Sequence, residues 1–381
     1  MQDEDMEAKW AAEDAEEAAD RERKAEAPPA IDRDKFIAWR SPRQVNESPT
    51  RLDNPLWHWL VRTRHSAYSA NEAFNGPSSF DAGPMWCFDR FGKSETALPD
   101  GSVIHIGGEH EDDYDPDFFI YNDVTVIDAN GSIEIRGYDR NVFPPTDFHS
   151  ATLTGTSILI IGCFGYPEQR MAGHTPVYKL ALDTMAIAPV ETSGEAPGWI
   201  QRHTAELSDD GRTIILRGGE IWRGDKRSMQ ENIDSWSLDV TTGRWTRLTA
   251  LDWQRWTMLR VDRKQSRLYD VRQELWRRDH GWSGMESYWK HDDKPDFEAL
   301  AALYQLDATS PAPEQMSEYN VYRVYIDGVA VRFTEERWLV HALVEGRLTN
   351  ERLEELQSKT LTTLQRIDLA GWEIETNLEE Q

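Results

Sequence analysis

Two marks recur at one period near 55 residues, each attached to short apolar strands around a glycine pair, with no helical pattern between them. Together they predict a mainly β chain: a β-propeller with few or degenerate blades, followed by a C-terminal α+β element. Length alone leaves the architecture open, since 381 residues could hold two or three domains or one large closed β fold.

Residues 1–30 are rich in Ala, Glu and Asp, carry Trp10 as their only aromatic, and end in Pro28-Pro29. They bury too little apolar surface to order themselves, so a disordered acidic tail or transient helix is expected. Residues 31–84 form the lead-in that packs on the propeller. Within it, Leu56, Trp59, Leu60, Ala67 and Ala70 fall at helical spacing behind Pro55, which predicts one packing helix over Asn54 to Asn75.

The repeats occupy residues 85–275. Each copy has a polar position, a Leu, a turn, an apolar strand ending in glycine, a polar loop, and a strand ending in Asp. The first runs from Ser94 through "SVIHIGG" at 102–108 to Asp128, and the second from His149 through "TSILIIGCFG" at 156–165 to Asp183. The third runs from His203 through "TIILRGG" at 213–219 to Asp239. Ser94, His149 and His203 are 55 and 54 apart, and the three aspartates are 55 and 56 apart. Two independent marks therefore share one period. The glycines let the strand turn close to neighbouring backbone, and the aspartates can bond turn amides. "WTMLRVDRKQSRLYDVRQ" at 256–273 reads as a fourth, degraded copy without glycines.

This pattern, a glycine pair after an apolar strand and an aromatic strand further on ("TGRWTRL", 242–248), resembles the kelch repeat over residues 85–250. It departs at Gly162-Cys163, where the second glycine is a cysteine. The resemblance implies a small kelch-type propeller whose blade-connecting loops recognise a partner.

Residues 276–381 form a degenerate blade or α+β element. "YNVYRVYIDGVAVRF" at 319–333 reads as a hairpin about Asp327-Gly328, and closure of the propeller could draw on it. "TEERWLVHALVEGRLT" and "NERLEELQSKTLTTLQRI" read as two amphipathic helices, and "GWEIETN" as a last short strand.

A net charge of -26 opposes binding to nucleic acid or anionic lipid. Two cysteines, Cys87 and Cys163, make no disulfide framework, and a cytoplasmic location is expected. The acidic stretch Glu109, His110, Glu111, Asp112, Asp113, Asp115 and Asp117 lacks calcium-loop spacing and a His pair, so it reads as a rim loop with no metal. His149 and His203 follow the repeat and read as structural. Glu109, His110, Asp112, Tyr114, Arg170, Arg202, Glu220 and Trp222 break the symmetry of the repeat or border the loops after the glycines, and they are the candidate binding residues. No catalytic motif or cofactor fingerprint is present. The expected role is a non-catalytic protein-binding scaffold. The alternative is a propeller enzyme, isomerising or lyase-type, that takes a small sugar-like ligand in a central funnel, with Glu109 or Glu220 as acid or base and Arg202 as an anion clamp.

Overall fold

The computed structural model describes residues 14–110, 115–224, 229–281, 284, 286–306, 311–317 and 320–376. It divides into two compact units, Met1–Ala250 and Leu251–Gln381. The protein is mainly β, and its sheets are antiparallel in nearly every pairing.

The first unit opens with helical residues 14–24 (α1), so the acidic tail is partly helical. Trp59 Nε1 donates to Glu26 O at 3.2 Å, and Arg62 makes a two-pronged bond to the Glu26 carboxylate. The segment before Pro28 is therefore tied to the protein. After it come α2 (Arg33–Trp39), β1 (Thr50–Arg51), α3 (Pro55–Thr63), α4 (Ala67–Ala73) and α5 (Ser79–Ala82). The single helix expected over Asn54–Asn75 is thus two. Asn54 caps α3 by accepting from Leu56 N, Arg64 ends it with a left-handed φ of 54°, and Ser66 caps α4. The apolar spacing ran through this break because the seven residues from Leu60 to Ala67 span about two turns.

Three sheets of five, four and five strands follow. The first holds β2 (Ser94–Ala97), β3 (Val103–Ile106), β6 (Val124–Ile127) and β7 (Ile133–Gly137), with the short β4 (Glu109–His110) and β5 (Phe119–Ile120) between them in sequence, and β1 extending its far edge. The second holds β8 (Ser150–Thr154), β9 (Ser157–Ile161), β10 (Val177–Ala181) and β11 (Ile187–Pro189). The chain then forms β12 (Ser193–Gly194) and β13 (Trp199–Gln201) before the third sheet. That sheet contains β14 (Thr204–Leu207), β15 (Thr213–Arg217), β18 (Trp236–Asp239) and β19 (Arg244–Arg247), with β12 parallel to β19. A small side sheet joins β13 to β16 (Glu220–Trp222) and β17 (Met229–Glu231).

The period of two along each strand explains how the copies pack. In β9 every residue is buried. Ile158 and Ile160 join Ile104, Ile106 and Val124 of the first sheet in one core, whereas Leu159 and Ile161 join Ile214, Leu216, Trp236 and Trp245 of the third in another. The middle sheet is therefore covered on both faces. Edge strands β2, β8 and β14 lie side by side. Hydrogen bonds from the two repeated histidines stitch this seam: His149 Nε2 meets Ser94 Oγ at 2.8 Å, and His203 Nε2 meets Ser150 Oγ, one residue past the repeated position, at 2.8 Å. Both histidines thus connect neighbouring copies. Asp128 and Asp239 accept turn amides, from Asn130 N and Thr242 N at 2.8 and 2.7 Å. In the second copy Thr184 Oγ1 accepts from Ala186 N instead.

The glycines have a directional role. At Gly107 and Gly162, both with positive φ, an added Cβ would lie 2.2 Å from Thr146 O and 2.3 Å from Ile200 O. Those carbonyls belong to the chain leading into the next copy. In the first two copies this glycine therefore lets one copy approach the following one, whereas at Gly218 of the third nothing lies within 4 Å.

A separate core fills the lead-in, where Trp57 stacks on Trp86 at 4.8 Å. Beside them Arg90 is buried against Asp123 at 2.5 Å, and Trp86 Nε1 donates to the same carboxylate at 2.7 Å.

The second unit holds β20 (Arg255–Arg260), α6 (Arg267–Asp279), α7 (Phe297–Ala302), β21 (Glu314–Gln315), β22 (Val321–Ile326), β23 (Val329–Glu335), β24 (Leu339–Val344), α8 (Asn350–Asp368) and β25 (Trp372–Thr376). Its sheet runs β21-β22-β23-β24-β20-β25. Residues 256–273 are accordingly not a fourth copy, because their first strand pairs with β24 and β25 and their second half is helical. The expected hairpin is present, with Asp327 and Gly328 both left-handed at its turn and Ile326 opposite Val329. It belongs to this unit's own sheet. The expected helix over 334–349 is instead the end of β23 plus β24. Leu339, Val340, Ala342, Leu343 and Val344 are all buried, and a strand covered on both faces loses the alternation that would distinguish it from a helix. The helix over 350–367 and the last strand form as the sequence predicts. Among the described residues no helix is long and apolar enough to cross a membrane.

Candidate functional site

The segments that follow β3, β9 and β15 carry the predicted residues except Arg202, which lies between β13 and β14, so their local geometry decides what they can do. Asp112 and Tyr114 lie outside the described residues. Glu109 and His110 form β4 opposite Ile120 and Phe119, which points their side chains to opposite sides. His110 turns inward: it is buried, with Nε2 3.7 Å from Cys87 Sγ. Burial holds it toward the neutral form, the Asp117 charge works against that, and Arg90 adds to it. His110 is therefore packed inside rather than presented on a rim, and Cys87 is buried with it.

Glu109 meets Asp147, a residue of the link between the first and second sheets. Asp147 is 0% exposed, and its Oδ1 accepts from Gly165 N at 2.7 Å. Burial pushes its carboxyl up, against the Gly165 amide, the bond with Glu109 and the Arg170 charge. Asp147 Oδ2 is buried without a hydrogen-bond partner, so burial, which favours the neutral form of this carboxyl, outweighs the groups that pull it down.

Arg170 closes this loop on itself. Its Nε donates to Phe164 O at 3.1 Å, its Nη2 donates to Gly165 O at 3.0 Å, and its guanidinium lies 3.8 Å over the Phe164 ring. Tyr166, which precedes the short 3-10 turn Pro167–Gln169, accepts from Ile120 N at 2.9 Å and so links the first loop to the second. Trp199 Nε1 also donates to Phe164 O, at 3.0 Å.

The third group sits at β13 and β16. Glu220 accepts from Gln201 Nε2 at 3.0 Å, and Trp222 stands opposite Trp199 in the register. Arg202 has a left-handed φ of 53°, donates its amide to Phe148 O, and lays its guanidinium 4.4 Å over the Phe148 ring. Phe148 follows Asp147 as Arg202 follows Gln201, so the two links repeat one local conformation.

The structure therefore brings Glu109 and Arg170 together through Asp147, and Glu220 and Trp222 together beside Gln201 and Trp199. It does not bring Arg202 onto either glutamate. Sequence reasoning missed Asp147, Phe148, Phe164, Tyr166 and Gln201. One signal was available: Asp147 and Gln201 each stand two positions before the repeated histidine, a column the copies fill differently. Among the described residues no three His, Cys, Asp or Glu side chains gather as a metal ion requires.

No protein-family model matches the chain, and no curated protein matches it. Among solved structures, that of YjhT superposes with a TM-score of 0.32 at 12% identity, covering 45% of this chain and 55% of that one. A fungal alcohol oxidase of the AA5 family, in complex with copper, superposes with a TM-score of 0.30 at 14% identity, covering 43% and 44%. The chain thus spans about half the length of the solved structures it matches, a likeness too slight to carry an argument about activity.

Proposed function

We propose that the three repeated sheets are blades of a kelch-type β-propeller, and that the chain is a cytoplasmic, non-catalytic scaffold that binds a protein partner through its loops. One observation carries this reading. The loops present arginines laid on half-buried rings, Arg170 on Phe164 and Arg202 on Phe148, with Trp199 and Trp222 paired beside them. Arg and aromatic side chains are the residues most enriched at the centres of protein interfaces, because rings bury large areas at the cost of two torsions and Arg adds a planar fork of donors. The backbone carbonyls that hold Arg170 fix the loop before any partner arrives, which lowers the ordering cost of binding.

The test is capture from native-host extract on immobilised protein, comparing wild type with a Trp222→Ala, Arg202→Ala variant whose melting temperature is unchanged. We expect a stoichiometric protein partner on wild type that the variant loses. Equal capture by both, or retention of a small molecule alone, would overturn the scaffold.

The buried Asp147 carboxyl beside Glu109, with its Oδ2 unpartnered and its titration pushed up by burial, favours a second reading, in which the same end of the sheets binds a small sugar-like ligand and moves a proton. It predicts that Asp147→Asn abolishes turnover while leaving the fold intact. A retained small molecule that this variant binds and converts as well as wild type does would remove that reading.

A further inference from the structure

We infer that the first unit holds a second binding site, in the lead-in helices, for a small organic monoammonium ion. A cavity of about 410 Å³ opens between α4, α5 and the end of the acidic loop, lined among the described residues by Tyr68, Asn71, Glu72, Phe80 and Asp117. That volume falls in the range of small-molecule pockets. Asp117 forms part of the wall while only 2% exposed, and its Oδ1 has no hydrogen-bond partner. Asn71 is 7% exposed, donates Nδ2 to Ser79 Oγ at 3.1 Å, and likewise has an unpartnered Oδ1. Leaving a buried acceptor unbonded is costly, and more so when it is charged, so this wall calls for a donor.

The buried cation that acts on Asp117 does not supply one. Arg40 acts on Asp117 through its charge, but its Nη atoms are spent on Ala82 O, Gly83 O and Ser79 Oγ, and its buried Nε reaches no acceptor, Asp117 included. Setting Arg40 against Asp117 and Glu72 leaves one negative charge over, which matches one positive charge on the ligand. At the mouth, Tyr68 and Phe80 are exposed large rings, suited to an alkyl body and to an ammonium group over a ring face. With a single buried carboxylate and amide oxygens, the wall lacks the several ligands a metal ion demands. The site shares the first loop through Asp117, but none of Arg170, Arg202, Trp199 and Trp222 lines it, and it does not depend on how those act.

Calorimetric titration at low salt tests this with n-hexylammonium as the probe and 1-hexanol as its neutral counterpart. We expect one-to-one saturable binding of the amine, at least about tenfold tighter than the alcohol, and a loss of at least about tenfold with Asp117→Asn. Phe80→Ala changes an exposed ring and leaves the fold unburdened, so it should weaken the amine even if Asp117→Asn fails to fold. Equal binding of amine and alcohol, no saturable heat, or amine binding unchanged in Phe80→Ala would overturn the inference. A lysine tripeptide that binds while hexylammonium does not would overturn the assignment to a free amine.

Discussion

The glycine pair of the third copy offers a comparison within two adjacent residues. Gly218 and Gly219 both have positive φ, 63° and 80°. A Cβ at Gly218 meets nothing within 4 Å, whereas one at Gly219 would lie 2.3 Å from Gln201 O and 2.7 Å from His203 N. Gly218→Ala should therefore cost only the left-handed backbone penalty, about 1–2 kcal/mol. Gly219→Ala adds a collision with main chain that cannot rotate away, for a total of about 2–5 kcal/mol. Guanidinium denaturation followed by tryptophan fluorescence reads both variants, since Trp222, Trp236 and Trp245 report on the same copy. The expected difference is about 1–3 kcal/mol, with unchanged m values. Equal losses would refute the account of the second glycine as the place where a strand passes its own copy's lead-in. The contrast with Gly107 is informative as well: there the first glycine meets the next copy, and at Gly218 that neighbour position is open.

Two other predictions concern charge. Asp123→Ala strips Arg90 and Trp86 Nε1 of their shared acceptor and leaves a buried guanidinium unpaired, so it should cost about 3–5 kcal/mol in chemical denaturation. A loss under 1 kcal/mol would show that Arg90 is solvated some other way. Burial lowers His149 to about 3 and His203 to about 4, below the ordinary value of 6.5. The unfolded chain therefore takes up these protons first, and their contribution is intact above pH 6.5 and shrinks as pH falls toward 4. Each histidine should remove on the order of 1 kcal/mol per pH unit in that window, and His149→Gln should flatten the slope of melting temperature against pH. A variant with the wild-type slope would rule out His149 as a source.

The repeated sheets were legible because strand alternation, glycine position and the seam histidines are each local, and each recurs. His149 and Ser94 could be matched by spacing before any contact was known. The site was less legible because its links are made between copies: Asp147 acts on Glu109 from a different sheet's lead-in, and only its place in the repeat hinted at it. Where the reading failed, a local rule had two solutions. Residues 339–344 are apolar enough for a buried helix or a buried strand, and the pairing of β24 with both β20 and β23 decided it. Arg64 carries no glycine or proline signal, yet its left-handed turn splits what spacing joined.

Ser157–Ile161 has no side turned to water, so each residue in that strand answers to two neighbours at once. A change at Ile160 is felt by the copy before it, and a change at Leu159 by the copy after it. Sequence drift should be slowest there and faster in the outer copies. Anyone building a longer array from this chain should borrow its strand from the centre, where both surfaces are already shaped to receive a neighbour.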